Sequence, residues 1–281
     1  MDQRLSESRW LTLGLLAPAL LTVALLFVYP LSYSVVGAFM GPEGQWTLAN
    51  FAKAFELYSR DMLFTLLIVG VSTAATGVLA VAIGGYLTLG TTAWAVAALR
   101  WLYRWPLFIP FVVAAQCMRT FLAKNGILNN TLDTFGLVDL ANVSGMLDWR
   151  GIVITFVWKQ APFAALLVAG AMASLDRSMI DAARNLGASR PRILIDILVP
   201  QVRPTLVVAL ILSFVTMMSV LSVPLMISGN SPTMLTVDMA FRINSYNDYG
   251  TANALGVIAY LFTAVAAWSY LRHGVRQGAE R

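Results

Sequence analysis

Long apolar stretches separated by short charged segments dominate the chain, and they determine its fold class. A helix that crosses a membrane needs roughly 20 mostly apolar residues. Six stretches reach or approach this length, at about residues 11–31, 62–87, 104–122, 151–175, 204–227 and 249–271. The pattern predicts an all-α membrane protein with six transmembrane helices in one domain over residues 1–281.

The third stretch is the least regular of the six. Only 14 residues separate Arg104 from Arg119, and they include Pro106 and Pro110. This segment can cross the membrane only if Trp105 marks one interface and Arg119 lies near the other. The uncharged stretch 88–99, which follows the second span, predicts a turn at the interface.

Composition supports the membrane class. The chain is 58% hydrophobic and only 12% charged, whereas soluble domains carry roughly 25% charged residues. Its formal charge of +5 would suggest nucleic-acid binding in a soluble protein. In a membrane protein such an excess reflects basic cytoplasmic loops, so no nucleic-acid partner is expected.

The distribution of basic residues predicts the orientation. Cytoplasmic loops are rich in Lys and Arg, and with both termini in the cytoplasm 12 of the 19 basic residues lie on that side. They are Arg4, Arg9, Arg100, Arg104, Arg177, Arg184, Arg190, Arg192, Arg203, Arg272, Arg276 and Arg281. Both termini and the loop 176–200 are therefore predicted to be cytoplasmic.

The loop 176–200 has the pattern of a short helix, a sharp turn and a second helix. Asp176 can cap the first helix, and Gly187 supplies the backbone freedom that ends it. The small residues Ala182, Ala183 and Ala188 would let another surface approach the backbone closely.

The spacing within this loop also carries a family resemblance. Asp181-Ala182-Ala183 is followed by Gly187 and then by Ile197-Leu198-Val199-Pro200. This resembles the signature of the inner-membrane permeases of binding-protein-dependent ABC importers: Glu-Ala-Ala, three residues, Gly, nine residues, Ile-x-Leu-Pro. Asp181 stands for the usual Glu and Val199 for Leu. Further stretches that resemble this family are 29–31, 46–51, 126–129, 158–163 and 249–255.

The resemblance implies a type I importer permease fold in a bacterial inner membrane, with transport by alternating access. It implies as partners two ATPase subunits, a second permease or a second copy of this chain, and a periplasmic solute-binding protein. The ATPase-coupling residues that it implies are Asp181, Ala182, Ala183, Gly187, Ala188 and Pro200.

Polar residues within the spans are candidates for the solute path. An ionisable group at such a position costs roughly 2.5–3.5 kcal/mol on insertion scales, and Lys159 is such a group in the fourth span. Lys159 could line the path, or it could snorkel to the outer interface or pair with Asp148 or Asp61. The other candidates, which could equally be packing residues, are Gln160, Ser213, Thr216, Met217 and Ser219.

No catalytic, cofactor or metal site is expected. Cys117 and His273 are each the only residue of their type, and no Gly-x-x-x-x-Gly-Lys-Ser/Thr occurs, so an enzyme or ATPase function is not predicted. The alternative from another class is an ATP-independent secondary transporter that uses Lys159 with a coupling ion. The absence of a carboxylate within the spans argues against this alternative. For the solute, the segment 182–189 resembles the polyamine branch and is favoured, whereas 126–129 and 249–255 also suit a carbohydrate permease.

Overall fold

The computed structural model describes residues 14–228 and 231–278, with side chains described as far as Trp268 in the last helix. Residues 11–13 of the first predicted span and Arg4, Arg9 and Arg281 lie outside the described residues, as do the side chains of Arg272, His273 and Arg276. The helices are α1 (Gly14–Ala38), α2 (Ala49–Leu89), α3 (Ala93–Leu102), α4 (Phe111–Leu122), α5 (Ile127–Thr134), α6 (Trp149–Ala173), α7 (Arg177–Asn185), α8 (Arg190–Ser219), α9 (Ser222–Ile227), α10 (Leu235–Tyr246) and α11 (Tyr249–Gly278). A short 3-10 helix, Trp105–Phe108, lies between α3 and α4.

The described helices confirm the predicted all-α membrane class. Five of them, α1, α2, α6, α8 and α11, are long and apolar enough to cross a membrane. A sixth span is formed if the helices Ala93–Phe108 and Phe111–Thr134, which bend by 109° at the break between them, are counted together. The orientation of the termini stays a prediction.

The third span differs from the single helix expected over 104–122. The chain breaks at Ile109, whose backbone is extended, and a new helix begins after Pro110. Proline disfavours the helical conformation of the residue before it and has no N–H to donate, so the break occurs where these two effects act together. The predicted turn over 88–99 is shorter than expected: only residues 90–92 lie outside helices, and α3 begins at Ala93.

The second span is longer than predicted. Helix α2 has 41 residues, and at 1.5 Å per residue it is about 60 Å long, roughly twice the thickness of the hydrocarbon core. Its first turns cover part of the predicted outer loop. The Thr47 hydroxyl accepts the Ala49 N–H at 3.0 Å and so satisfies a free donor where the helix begins.

The described residues form two compact units, and the first comprises the described parts of Met1–Ser59 and Asp238–Tyr260. Its helix ends are joined by amide side chains. The Asn50 amide donates to the carbonyls of Ala38 (3.0 Å) and Met40 (2.9 Å). The Ser34 hydroxyl donates to Asn253 Oδ1 at 2.8 Å. A Cβ on Gly37 would lie 2.6 Å from the Asn253 amide nitrogen, so a side chain there would displace the Asn253 amide that accepts from Ser34.

Charged side chains add to this unit. Lys53 Nζ lies 2.6 Å from Asp248 Oδ2, and Arg242 Nε donates to the Tyr58 hydroxyl at 2.5 Å. Burial would raise the pKa of Asp248, but hydrogen bonds from Lys53 and Thr251 outweigh it, so the pKa is lowered overall. The hydrogen bonds of Asn50, Thr251 and Asn253 give the segments 46–51 and 249–255 a structural role.

The second unit comprises the described parts of Arg60–Val237 and Leu261–Arg281 and holds the main hydrophobic core. Its buried residues come mostly from α2, α6, α7 and α8 and include Ala80, Ala164, Val168, Met172, Ile180, Ile193, Leu198 and Ala209. Small residues at such contacts let membrane helices approach closely. At the N-terminus of α10, Asp61 accepts the Thr233 N–H (2.7 Å) and Thr65 Oγ1 accepts the Leu235 N–H (3.0 Å).

The predicted orientation can be tested by thiol labelling. Cys117 is exposed, so it is first replaced by serine. We expect Ser189→Cys to react with a membrane-impermeant maleimide only when the cytoplasmic face is open, and Thr131→Cys to react in intact spheroplasts, because 189 and 131 are exposed positions on opposite predicted sides. Labelling of position 189 in intact spheroplasts would contradict the orientation.

Candidate functional site

The segment between α6 and α8 begins with a capped helix, as its sequence predicts. The Asp176 carboxylate accepts the Ser178 N–H at 2.9 Å and forms the N-cap of α7. Hydrogen bonds from Ser178, from its side chain and then its backbone, lower the pKa of Asp176, so the cap is charged at neutral pH. A negative charge at this end also interacts favourably with the helix dipole.

Gly187 ends α7 in a fully formed Schellman motif. Its φ is +80°, in the left-handed region that favours glycine. The Ala188 N–H donates to the Ala183 carbonyl (3.0 Å) and the Gly187 N–H to the Arg184 carbonyl (2.9 Å). A Cβ on Gly187 would meet no atom of the chain within 4 Å. Glycine is therefore required by the backbone conformation and not by packing within this chain.

The two faces of α7 have different environments. Ile180 and Ala183 are buried in the hydrophobic core of the second unit. Ala182 is exposed, and Leu186 is exposed at 89%. The small residues predicted to form one contact surface therefore lie on different faces of α7. Ala183 packs against the core, whereas Ala182 lies on the open face. Sequence reasoning missed Leu186, although an apolar residue at the end of a charged helix was a usable signal.

Asp181 is paired only weakly. Its carboxylate lies 3.4 Å from Arg184 on the same helix, and the two side chains are 65% and 46% exposed. Exposed ion pairs of this kind contribute about 1 kcal/mol or less. The Asp181 carboxylate can therefore exchange this partner for another at little cost.

The last part of the motif lies where α8 widens into a π-helical turn over Leu194–Leu198. The Val199 N–H donates to the carbonyl of Leu194, five residues back, immediately before Pro200. Pro200 has no N–H, and its ring crowds the preceding turn, so a wider turn relieves the contact. Leu198 is buried in the core, whereas Pro200 is exposed.

Lys159 is buried on α6, at 7% exposure, and contacts the break in the third span. Its ammonium donates to the carbonyls of Pro106 (2.5 Å) and Ile109 (2.6 Å). It also lies 5.0 Å from the centre of the Phe111 ring, a cation–π contact. Lys159 therefore donates to two carbonyls at the helix break, one of which, that of Pro106, also accepts the Ile109 N–H at 3.3 Å.

The expected ion pairs of Lys159 with Asp148 and Asp61 are not formed. The expected partners are also engaged elsewhere, since Asp148 pairs with Arg150 at 2.7 Å and Asp61 accepts the Thr233 N–H.

The other path candidates do not form one cluster. Gln160 is buried, as are Ser213 and Met217, which lie one turn apart on the inner face of α8. Ser219 is exposed, and Thr216 is half-buried on a side of the helix next to that of Ser213. The Thr216 hydroxyl donates to the Leu212 carbonyl at 2.7 Å. A solute passing along the surface of α8 would meet Thr216 and Ser219 and not the other two.

Comparison with known proteins relates the chain to membrane transport. The sequence model of the family described as "Binding-protein-dependent transport system inner membrane component" matches residues 8–274. The chain is 27% identical to the sulfoquinovosyl glycerol transport system permease protein SmoG of Agrobacterium fabrum, over 94% of this chain and 92% of that protein. It is 25% identical to the spermidine/putrescine transport system permease protein PotB of Salmonella typhimurium, over 78% and 74%.

A solved structure shares the fold. It is a chain of a bacterial alginate ABC transporter in complex with an alginate pentasaccharide-bound periplasmic protein, with a TM-score of 0.80 at 20% identity over 94% of this chain and 93% of that chain.

Replacing Lys159 tests its structural role. We expect Lys159→Met, which keeps the length but removes the donor, to destabilise the protein by roughly 1–3 kcal/mol. The Ile109 carbonyl loses the ammonium, and the Pro106 carbonyl keeps only the Ile109 N–H at 3.3 Å. The measurement is the midpoint of thermal unfolding in detergent, followed by size-exclusion chromatography of the heated protein. Lys124→Met is the matched control, since Lys124 is exposed and forms none of the described ion pairs. Equal midpoints for the two variants would show that the contact is dispensable.

Proposed function

We propose that α7 transmits the motion of an ATPase subunit to the membrane spans. The premise is that this chain belongs to the family of inner membrane components of binding-protein-dependent transport systems. The protein is a multi-pass permease subunit of an ABC importer in the inner membrane and is not the ATPase. The proposal concerns how it is driven, with which partners and for which solute.

The construction of α7 carries the proposal. A helix transmits a displacement only if it moves with the core, and α7 is capped at both ends and anchored by Ile180 and Ala183. Its open face bears Asp181, Ala182 and Leu186, which offer a charge, a close approach and an apolar contact. We infer that this face enters a cleft of an ATPase subunit. Gly187 and Ala188 would lie at the edge of the docking face, and Pro200 would hold the start of α8, which leads the chain back into the membrane.

Two ATPase subunits and a second permease, or a second copy of this chain, complete the proposed assembly. Helix α1 supports a partner or lipid contact, because its side chains are exposed around the helix and only Ala38 is buried. The periplasmic binding protein delivers the solute to the outer side. One six-helix unit can line only half of a path, and Thr216 and Ser219 are the residues we propose to face it.

The solute is proposed to be a hydroxyl-rich molecule of the carbohydrate class without a positive charge. No Asp or Glu occurs in residues 14–38, 62–89, 149–173, 197–219 or 249–268, so these spans offer a polycation no counter-charge, and moving such a charge through them would be costly. The sulfoquinovosyl glycerol permease relative, which matches over 94% of the chain, supports the carbohydrate class, since its named solute is a glycoside that carries a sulfonate group. A polyamine is the second candidate, supported by the similarity to PotB.

Gly187→Leu tests the coupling role. We expect this variant to insert normally but to lose ATP-dependent uptake, because the new side chain would project from the docking face of α7. The left-handed conformation itself costs a leucine about 1–2 kcal/mol. Gly136→Leu is the matched control, because Gly136 has a φ of +68° and equally open space but lies in another loop.

Uptake in proteoliposomes with the ATPase and binding protein, normalised to permease content, is the measurement. If Gly187→Leu and Gly136→Leu transport equally, α7 is not the coupling element. Two variants of Asp181 test its contact with the ATPase. Asp181→Ala should weaken ATPase association or uncouple hydrolysis from uptake, whereas Asp181→Glu should be tolerated because it restores the usual family residue.

The solute class is tested in the same proteoliposomes. We expect a glycoside without a positive charge, presented with the binding protein, to stimulate ATP hydrolysis and to accumulate, and spermidine to do neither, because the span segments given above contain no Asp or Glu. The measurements are the ATPase rate and the uptake of radiolabelled solutes from a panel of glycosides, sugar acids and polyamines. Stimulation by spermidine alone would reverse the assignment.

A further inference from the structure

A cavity in the second unit, beside α7, is strongly basic. Its volume is about 660 Å³, and its lining includes four arginines and a single carboxylate. These charged residues are Arg100, Arg104, Arg177, Arg184 and Asp181. Four guanidinium groups around one cavity repel each other unless an anion lies among them.

The positive charge of the cavity is not neutralised within the described part of the chain. Arg184 pairs with Asp181 at 3.4 Å, and Arg104 donates from Nε to the neutral hydroxyl of Tyr103 at 3.2 Å. Among the described residues, no carboxylate lies within 4.0 Å of Arg100 or Arg177. A ligand with several acceptor oxygens and a negative charge, such as a phosphate group, fits this donor set.

Exposed indole rings indicate the depth of the cavity in the membrane. Trp101 and Trp105 follow Arg100 and Arg104 in the sequence, are 60% and 56% exposed, and form an edge-to-face pair 4.6 Å apart. Tryptophan is enriched at the membrane–water interface. The guanidinium groups next to these rings therefore lie at the level of lipid headgroups, where basic pockets on the cytoplasmic side bind anionic lipids.

We propose that this cavity binds the phosphate headgroup of an anionic phospholipid from the cytoplasmic leaflet and that the bound lipid holds α7 in its coupling position. Arg177 and Arg184 lie on α7, and Arg100 and Arg104 lie on or just after α3, so one phosphate joins the coupling helix to the neighbouring segment. The inference rests on the proposed cytoplasmic orientation and coupling role of α7.

The cavity shares only Asp181 with the residues of the proposed ATPase-docking face. Its lining includes the buried Ile180 but neither Ala182 nor Leu186. An acidic ATPase residue that docks on the open face of α7 would not need this space, which favours the lipid as the ligand.

The first test is direct binding. The complete transporter is placed in nanodiscs of phosphatidylcholine with a small fraction of radiolabelled phosphatidylglycerol, extracted into detergent and purified. We expect phosphatidylglycerol to be retained in excess over phosphatidylcholine, and Arg100→Gln/Arg104→Gln to lose this excess. Arg60→Gln/Arg119→Gln, which alters two exposed arginines outside the cavity, should keep it. Equal retention by the two double variants would overturn the proposal.

The second test separates the possible sources of the anion. Uptake per ATP hydrolysed should rise with the phosphatidylglycerol fraction in the unmutated transporter and stay flat in Arg100→Gln/Arg104→Gln. If inorganic phosphate in pure phosphatidylcholine gives the same rise, the ligand is a free phosphate and the lipid proposal is wrong. If Arg100→Gln/Arg104→Gln weakens ATPase association in pure phosphatidylcholine, the cavity receives a protein carboxylate instead.

Lipid retention is measured independently of transport, so it can succeed or fail whatever the outcome for Gly187→Leu. The two proposals are therefore distinguishable.

Discussion

Every polar backbone group within a membrane must find its hydrogen bond inside the protein, and the contact of Lys159 with the third span meets this requirement. The span breaks at Pro110, and the Lys159 ammonium on α6 bonds the carbonyls of Pro106 and Ile109. A residue that looks like a costly charge in an apolar helix is thus the donor that makes a broken span tolerable. Because the third span carries Arg100, Arg104 and their flanking tryptophans at one end, its path also sets the position of the basic cavity.

Helix α7 joins this membrane core to the proposed ATPase. Its caps are local, but its rigidity comes from the burial of Ile180 and Ala183 in the core formed with α2, α6 and α8. The same helix contributes arginines to the basic cavity and an open face with Leu186. Coupling to a protein partner and sensitivity to the lipid headgroup would then act on one short element from different sides, which is the physical basis on which the two proposals are connected.

Much of the fold could be predicted from the sequence because membrane helices are governed by length and apolarity. The helical class and the family are confirmed by the described helices and by the match over residues 8–274. The errors fall where these two properties carry no information. Helix α2 continues into a polar segment once Thr47 caps it, α3 forms where a turn was expected, and the bend at Pro110 depends on a donor from a distant helix.

The sequence by itself determined both ends of α7: Asp176 as N-cap and Gly187 as the left-handed C-cap. Caps and turns depend on residues within a few positions of each other, so spacing is enough to find them. Only the tertiary structure decided that Ala183 is buried while Ala182 is open, that Ser213 is buried while Ser219 is exposed, and that Arg100 and Arg177 line one cavity. These outcomes depend on which helices pack together, and periodicity along one helix does not specify its neighbours.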